Sequence, residues 1–387
     1  MNVFKPVLIY SLMTALCGSA SFWSLQANAS DYRDVINEFD QYKQSTEAEF
    51  EAFEKAIDLA YQEFMGEIEA VWGDTTFTSR HQWVEYDETL TQRTLVDYQA
   101  DEIVVEFIDV DADQVSSVEL AEQLNKTLSS TLAQAVENDP VLQKAAEQSN
   151  QTIQVEGESA QVTMLPELLT SQNENSMAVA KALTTGDGVS QSYLPSSRRL
   201  TVVITLPEEY GMKKADRYWE ATAKYAKEWK LEPALVMAII HTESSFNPMA
   251  RSRIPAYGLM QIVPRTAGKD AAKKIYGKSK LFKAKYLYNP ENNIRVGAAY
   301  LNVLNYRYLR GIHNPESRLY CTIAAYNTGT ANVAKAFIDQ KSMQKAYARI
   351  NQLEPSEVYD ILATRLPYKE TRGYLKKVVG RYLQYVN

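Results

Sequence analysis

The 387-residue chain exceeds one ordinary domain, so two folded units are expected, and its 45% hydrophobic content is ample for their cores. The net charge of −7 hides an asymmetry: from Gly211 onward 30 basic residues face 13 acidic ones, whereas 11 basic and 35 acidic residues precede it. A basic half of this kind faces a polyanion, either nucleic acid or an anionic wall polymer, unless the two halves neutralise one another across their own interface.

The N-terminus reads as an export signal. Lys5 supplies the positive end, an apolar stretch runs from Val7 to Leu16, and Ala27-Asn28-Ala29 forms a cleavage site before Ser30. Residues 1–29 are therefore expected to be removed. The apolar stretch is too short and too interrupted for a membrane span. Cys17 follows Leu16 where a bacterial lipoprotein signal wants a small residue, so simple cleavage is favoured over lipidation; outer-membrane association is left open. Cys321 then stands alone in the apolar run Leu319–Ala325, as a buried structural thiol without a disulfide partner.

Residues 34–72 carry helical periodicity, with Phe50, Phe53, Ile57, Ala60, Phe64, Ile68 and Val71 on one stripe and Gly73-Asp74 as the stop. Strands follow over Gln82–Tyr86, Leu90–Tyr98 and Glu102–Val110. Val118–Val136 reads as one helix with Leu120, Leu124, Leu128 and Leu132 four apart. Ser171–Ser197, rich in Ser, Thr, Asn, Gln and Gly, reads as a loop, and Leu200–Leu206 as a last strand. Residues 30–208 are thus expected to form an α+β domain without a chemical motif of its own.

Residues 209–387 change to helix after helix, a mainly α domain. Tyr218, Trp219, Thr222, Tyr225, Ala226 and Trp229 mark one face of the first. Pro233 opens the next, which Asn247-Pro248 stops. Further helices are expected over Ile294–Leu309, Arg318–Tyr326, Ala331–Phe337 and Thr371–Tyr385. The organising stretch is Ala234–Ile262. An apolar helix delivers one carboxylate, Glu243, and no other acid occurs before Asp270. Glu243 shares a face with Ile239 and Ile240, and both burial and the helix dipole disfavour its charged form, which suits a general acid. The alternative is a Glu paired with Arg251 or Arg253.

Other chemistries lack their signals. His81, His241 and His313 are scattered without metal-ligand spacing, so no metal is expected. Gly268-Lys269 lacks the P-loop spacing, and the basic run Lys269–Lys285 has no nucleic-acid fold around it. It reads as a solvated face attracting anionic wall polymer.

Glu243-Ser244, Gly258-Leu259-Met260-Gln261-Ile262, Ala325-Tyr326-Asn327 and Leu366–Tyr374 occur in the order found in family 1 lytic transglycosylases, which this half of the chain resembles. Val71-Trp72-Gly73 and His81–Phe107 are similar, more loosely, to an accessory domain of the same family. The resemblance implies a goose-type, lysozyme-like catalytic domain that cleaves peptidoglycan glycan strands without water, metal or organic cofactor. The carboxyl corresponding to Glu243 would act as acid and then base, leaving a 1,6-anhydro end. Ser252, Gln261 and Tyr326 would line the groove, Asn327 and Tyr374 would support them, and Glu370 would assist rather than serve as a second catalyst. Amides and hydroxyls suit a sugar because they hydrogen-bond it without a competing charge. The chain departs from many relatives at Gly373, where Asn is usual. A periplasmic location in a Gram-negative bacterium follows from the same likeness. A hydrolytic lysozyme and a non-catalytic wall-binding scaffold are the rival readings, and oligomeric state stays open.

Overall fold

The computed structural model describes residues 29–111, 113–169, 175–253 and 255–386, so the export signal, Cys17 and most of its cleavage site lie outside the described residues. The chain divides into two compact units, Met1–Glu47 and Ala48–Asn387. The described part of the first is helical and belongs to α1 (Ala29–Trp72). Within the second unit α1 buries Phe50, Phe53, Ile57, Ala60, Phe64 and Ile68, as its spacing predicts. The stripe closes on Trp72 rather than Val71, because the fourth residue after Ile68 returns to the same face. Gly73, at φ +67°, ends the helix.

Five antiparallel strands follow: β1 (Gln82–Tyr86), β2 (Gln92–Asp97), β3 (Glu102–Phe107), β4 (Val189–Leu194) and β5 (Arg199–Thr205), in the order β1-β2-β3-β5-β4. Trp83, Val96, Ile103 and Ile204 form one cross-strand row, and all four are buried. The next row on that face includes Thr94, whose Oγ1 accepts from Gln123 Nε2 at 2.9 Å, which places a helix over it. The opposite face carries charge. Arg93 pairs with Glu106 at 2.6 Å and with Asp74 at 2.8 Å, and the guanidiniums of Arg93 and Arg199 lie 4.2 and 5.2 Å from the Trp72 ring.

Between β3 and β4 lie α2 (Ser117–Ser129), α3 (Leu132–Glu137), α4 (Pro140–Gln148) and α5 (Ser176–Thr185). Two expectations are corrected here. The single helix over Val118–Val136 is two, because Thr131 opens a new one with a capping box to Gln134, and Ser130 O accepts from Met164 N instead of continuing the helix. All four expected leucines are nonetheless buried. The loop expected over Ser171–Ser197 contains α5 and β4; Asn175 caps α5, and β4 gains its order by pairing with β5. Polar composition concealed both, since β4 is mostly exposed.

The helical half comprises α6 (Tyr210–Asp216), α7 (Trp219–Glu228), α8 (Pro233–Ser244), α9 (Lys269–Tyr276), α10 (Ala284–Tyr288), α11 (Pro290–Val303), α12 (Pro315–Thr328), α13 (Thr330–Ile338), α14 (Met343–Ile350), α15 (Pro355–Arg365) and α16 (Lys369–Val386). An α+β part followed by a mainly α part is the expected fold class. Trp219, expected to share one face with Tyr218, Thr222 and Tyr225, is 43% exposed at the start of α7 while those three are buried. Short α10, α14 and α15 went unforeseen, although Pro355 at the first turn and the Glu354–Glu357 capping box mark the start of α15. Of these elements α7 and α16 flank α8, which is buried almost throughout.

Charge complementarity runs between the acidic and basic halves inside the second unit. Lys214 is buried against Asp101 and the Tyr98 carbonyl, Arg251 against Asp139, and Arg265 and Lys283 meet Glu54 and Glu49 nearer the surface. One continuous apolar core extends through both halves. Cys321 is fully buried, as expected.

Candidate active site

Helix α8 begins at Pro233, which needs no hydrogen-bond partner there. It stops one turn earlier than Asn247-Pro248 suggested. Ser245 takes the left-handed conformation as the cap, Phe246 follows with φ +71°, and Phe246 stacks at 6.2 Å on Tyr218. Glu243 therefore lies in the last turn, 4% exposed. Burial pushes its carboxyl up to about 7, while the positive charge of Arg80 and the Tyr374 hydroxyl pull it back and the negative charge of Glu370 adds to the rise. Neither Arg251 nor helix neighbour His241 is its partner. Arg251 forms a two-point pair with Asp139 at 3.1 Å, and His241 turns to Tyr385, 3.0 Å away. His241 is held neutral, its pKa lowered to about 3, first by burial and then by the Arg381 charge.

The structure brings Glu243, Tyr326, Glu370 and Tyr374 together. Glu370 and Tyr374 are one turn apart on α16, so both project from one side of it. The buried Tyr374 hydroxyl makes no hydrogen bond of ordinary geometry, and after burial Glu243 is the neighbour that most disfavours its ionisation, so the two groups approach without a well-formed bond. Burial first, and then Glu243, disfavour ionisation of both tyrosines. Glu370 is exposed and meets Arg80 at 3.5 Å.

Gln261 joins the group through the turn Gly258–Ile262. Gly258 has φ +71°, and a Cβ there would lie 2.5 Å from the Leu287 carbonyl and 2.4 Å from Asn293 Nδ2, so only glycine fits. Asn293, fully buried, clamps the turn: its Oδ1 accepts from Met260 N at 2.8 Å, and its Nδ2 donates to the Tyr257 and Leu287 carbonyls at 2.7 Å. Tyr326 then donates to the Met260 carbonyl at 2.7 Å. Gln261 Nε2 donates to the carbonyls of Ala250 and Gly258 at 3.0 Å, which leaves its buried Oε1 as an acceptor without a protein donor. The turn leads through a π-helical turn at Pro264–Gly268 into α9.

Ser252 and Asn327 are placed by their own elements. Ser252 sits half-buried on the loop beyond Arg251, where its Oγ accepts from Ala256 N at 3.2 Å, and Asn327 follows Tyr326 in the last turn of α12.

Two residues of the site escaped the sequence reading. Asn293 had no motif around it. Arg80 comes from the other half of the chain, 290 residues from Glu370. Its loop is docked beside the end of α8: Asn247 Nδ2 donates to the Ser79 and Arg80 carbonyls at 3.4 Å, Arg251 N donates to the Ser79 carbonyl at 3.3 Å, and His81 Nδ1 lies 3.2 Å from Ser245 Oγ. No cluster of metal-ligating side chains occurs among the described residues.

Residues 220–349, which carry the buried Glu243 at the end of α8, the glycine-dependent turn and Tyr326, match the model of the Transglycosylase SLT domain. That span holds Glu243, Ser252, Gln261, Tyr326 and Asn327, and ends before Glu370 and Tyr374. Residues 27–157, which include Arg80, match the N-terminal domain of Membrane-bound lytic murein transglycosylase C. A curated relative of that name from Yersinia pestis is 45% identical over 177 residues, covering 46% of this chain and 49% of the relative. The chain thus spans about half the length of the curated relatives it matches. Among solved structures, the lytic transglycosylase Slt of Pseudomonas aeruginosa shares 28% identity over 43% of this chain and 23% of its own, with a TM-score of 0.32. The 70 kDa soluble lytic transglycosylase of Escherichia coli shares 16% over 70% of this chain and 43% of its own, with a TM-score of 0.35. The likeness to lytic transglycosylases read from the four motifs of the helical half, and the looser one read from the first half, are both borne out.

Proposed function

We propose that the protein is a peptidoglycan lytic transglycosylase, cleaving the bond between N-acetylmuramic acid and N-acetylglucosamine and leaving a 1,6-anhydro end. The observation that carries this reading is the Glu243 carboxyl, buried and raised to about 7, so that it still holds a proton to give near neutral pH. Glu243 donates that proton to the leaving glycosidic oxygen. As a carboxylate it then takes the proton of the muramoyl 6-hydroxyl, whose oxygen closes on C1 of the same sugar. The usual two-carboxylate schemes place a second Asp or Glu as nucleophile or water-activating base. Glu370, exposed and paired with Arg80, is poorly placed for either task and suits a supporting role. Gln261 presents its unmatched Oε1 to a sugar N–H, Tyr326 and Tyr374 flank the acid, and Ser252 and Asn327 extend the groove.

In this reading residues 1–29 direct export, 30–208 form an accessory α+β domain and 209–387 the catalytic one. The enzyme works in the periplasm of a Gram-negative bacterium, on glycan strands and not nucleic acid; the relatives' membrane-bound name supports an envelope location. The test is mass spectrometry of muropeptides released from purified sacculi. Anhydro-muramoyl ends are expected. Reducing ends alone would replace the reading by a hydrolase of the same fold, and binding without release by a wall-binding scaffold.

A further inference from the structure

Among the described residues of the acidic half, Arg80 is the charge that acts on the Glu243 carboxyl, and the backbone of its loop is pinned beside the end of α8. Thr78 Oγ1 accepts from Val84 N at 3.1 Å and Ser79 Oγ from Gln82 N at 3.2 Å, which folds the loop onto its own strand. Tyr98 N then donates to the His81 carbonyl at 2.9 Å, while the bonds from Asn247 and Arg251 fix the loop to the turn after α8. The side chain of Arg80 leaves this anchored backbone and reaches Glu370 in the first turn of α16.

We propose that Arg80 is a positioning residue for Glu243: its guanidinium sets the charge balance over the buried carboxyl, and Glu370 opposes it. The inference rests on the reading of Glu243 as the reacting acid. The groups facing Glu243 are Arg80 from the loop before β1, Glu370 and Tyr374 from α16, and Tyr326 from α12. The tyrosines stay neutral through the working range, since burial raises both well above their ordinary value. Among the described residues Arg80 and Glu370 are therefore the two charges on this carboxyl, and they act with opposite signs. Arg80 favours the ionised acid, the form that must accept the muramoyl proton; Glu370 favours the protonated one, which must give the first proton. Because the pair is 3.5 Å apart, the two effects on Glu243 largely offset one another in the free protein, and because it is open to solvent, a ligand that engages either charge shifts the balance.

The test compares Arg80→Gln, Arg80→Lys, Glu370→Gln and the double Gln variant of the full chain. The first readout is the pH dependence of initial sacculus cleavage, whose alkaline limb follows loss of the Glu243 proton. Arg80→Gln should move that limb upward and Glu370→Gln downward, each by about half a pH unit, the scale of a partly screened charge contact. Arg80→Lys should leave it in place, and the double variant should return close to the original. The second readout is carboxyl carbon-13 NMR of glutamate-labelled protein, with the Glu243 signal identified by its absence in Glu243→Gln. It reads the same shifts with no turnover, so a failure of the proposed chemistry is separable from a failure of this inference. Lower rates with an unmoved limb and unmoved titration, or shifts of the same sign in both single Gln variants, would overturn it.

Discussion

Arg251 and Asp139 meet through two parallel hydrogen bonds of 3.1 Å, with side chains only 2% and 4% exposed, and Arg251 Nε adds a 2.7 Å bond to Tyr61. The pair joins the loop beyond Glu243 to the start of α4, where Asp139 also caps the helix through Leu142 N. Burying two charges is repaid only when every donor and acceptor is met, and here nearly all are.

Asp139→Ala should accordingly be among the most damaging single changes outside the site. It strands a buried guanidinium and removes a cap, at a cost of about 3–5 kcal/mol. Denaturant unfolding should show a reduced midpoint. A loss below about 1 kcal/mol would mean that water or another acceptor replaces the carboxylate.

Gly258→Ala should disrupt the turn that carries Gln261. The added methyl meets the Leu287 carbonyl and Asn293, and the backbone is left-handed there, where a non-glycine residue costs about 1–3 kcal/mol before any clash. Cleavage should fall far more than the thermal midpoint, because the turn presents the substrate side while the core beneath it persists. Equal activity would show that the turn tolerates displacement.

Tyr326→Phe removes the donor to the Met260 carbonyl and leaves a buried acceptor unmet, a loss of about 1–3 kcal/mol. The Gln261 turn should loosen, seen as weaker binding of glycan fragments and slower cleavage. Tyr374→Phe should be milder for stability, because that hydroxyl makes no well-formed bond in the free protein.

Glu243→Gln should abolish cleavage and retain sacculus binding, and its effect on stability should depend on pH. The folded-state pKa, about 7, lies above the ordinary carboxyl value of 4.5, so the folded protein binds the proton more tightly than the unfolded chain. The contribution of Glu243 to stability is thus fully present below pH 4.5 and is lost as pH rises through 7. Relative to wild type, the Gln variant should be comparable at pH 4 and more stable above pH 7, by up to about 3 kcal/mol. Unfolding curves at pH 4 and pH 8 give the comparison; a gain at both would trace to packing instead.

The parts legible in the sequence were those written in local patterns. The α1 stripe, four of the five strand cores, Pro233 at the start of α8 and the Glu243 face all follow from local pattern, and the structure has them. The split between α2 and α3 was written locally too, in Thr131 and Gln134, but the leucine spacing ran across it and masked the cap. β4 was illegible because its polar residues become a strand only through pairing with β5. Tyr326 and Tyr374 were found by motif, whereas Asn293 and Arg80 act across 33 and 290 residues, a separation that no window of sequence spans.

The bonds from Asn247 and Arg251 to the Ser79 loop fall on main-chain carbonyls, which are the same whatever side chains the loop carries. Drift at position 80 can therefore proceed without undocking the loop, whereas Asn247, some 167 residues away, is held to one amide. Selection for a more acidic or more alkaline habitat would find in position 80 an inexpensive place to act, retuning the enzyme by one codon and leaving the groove itself inherited unchanged.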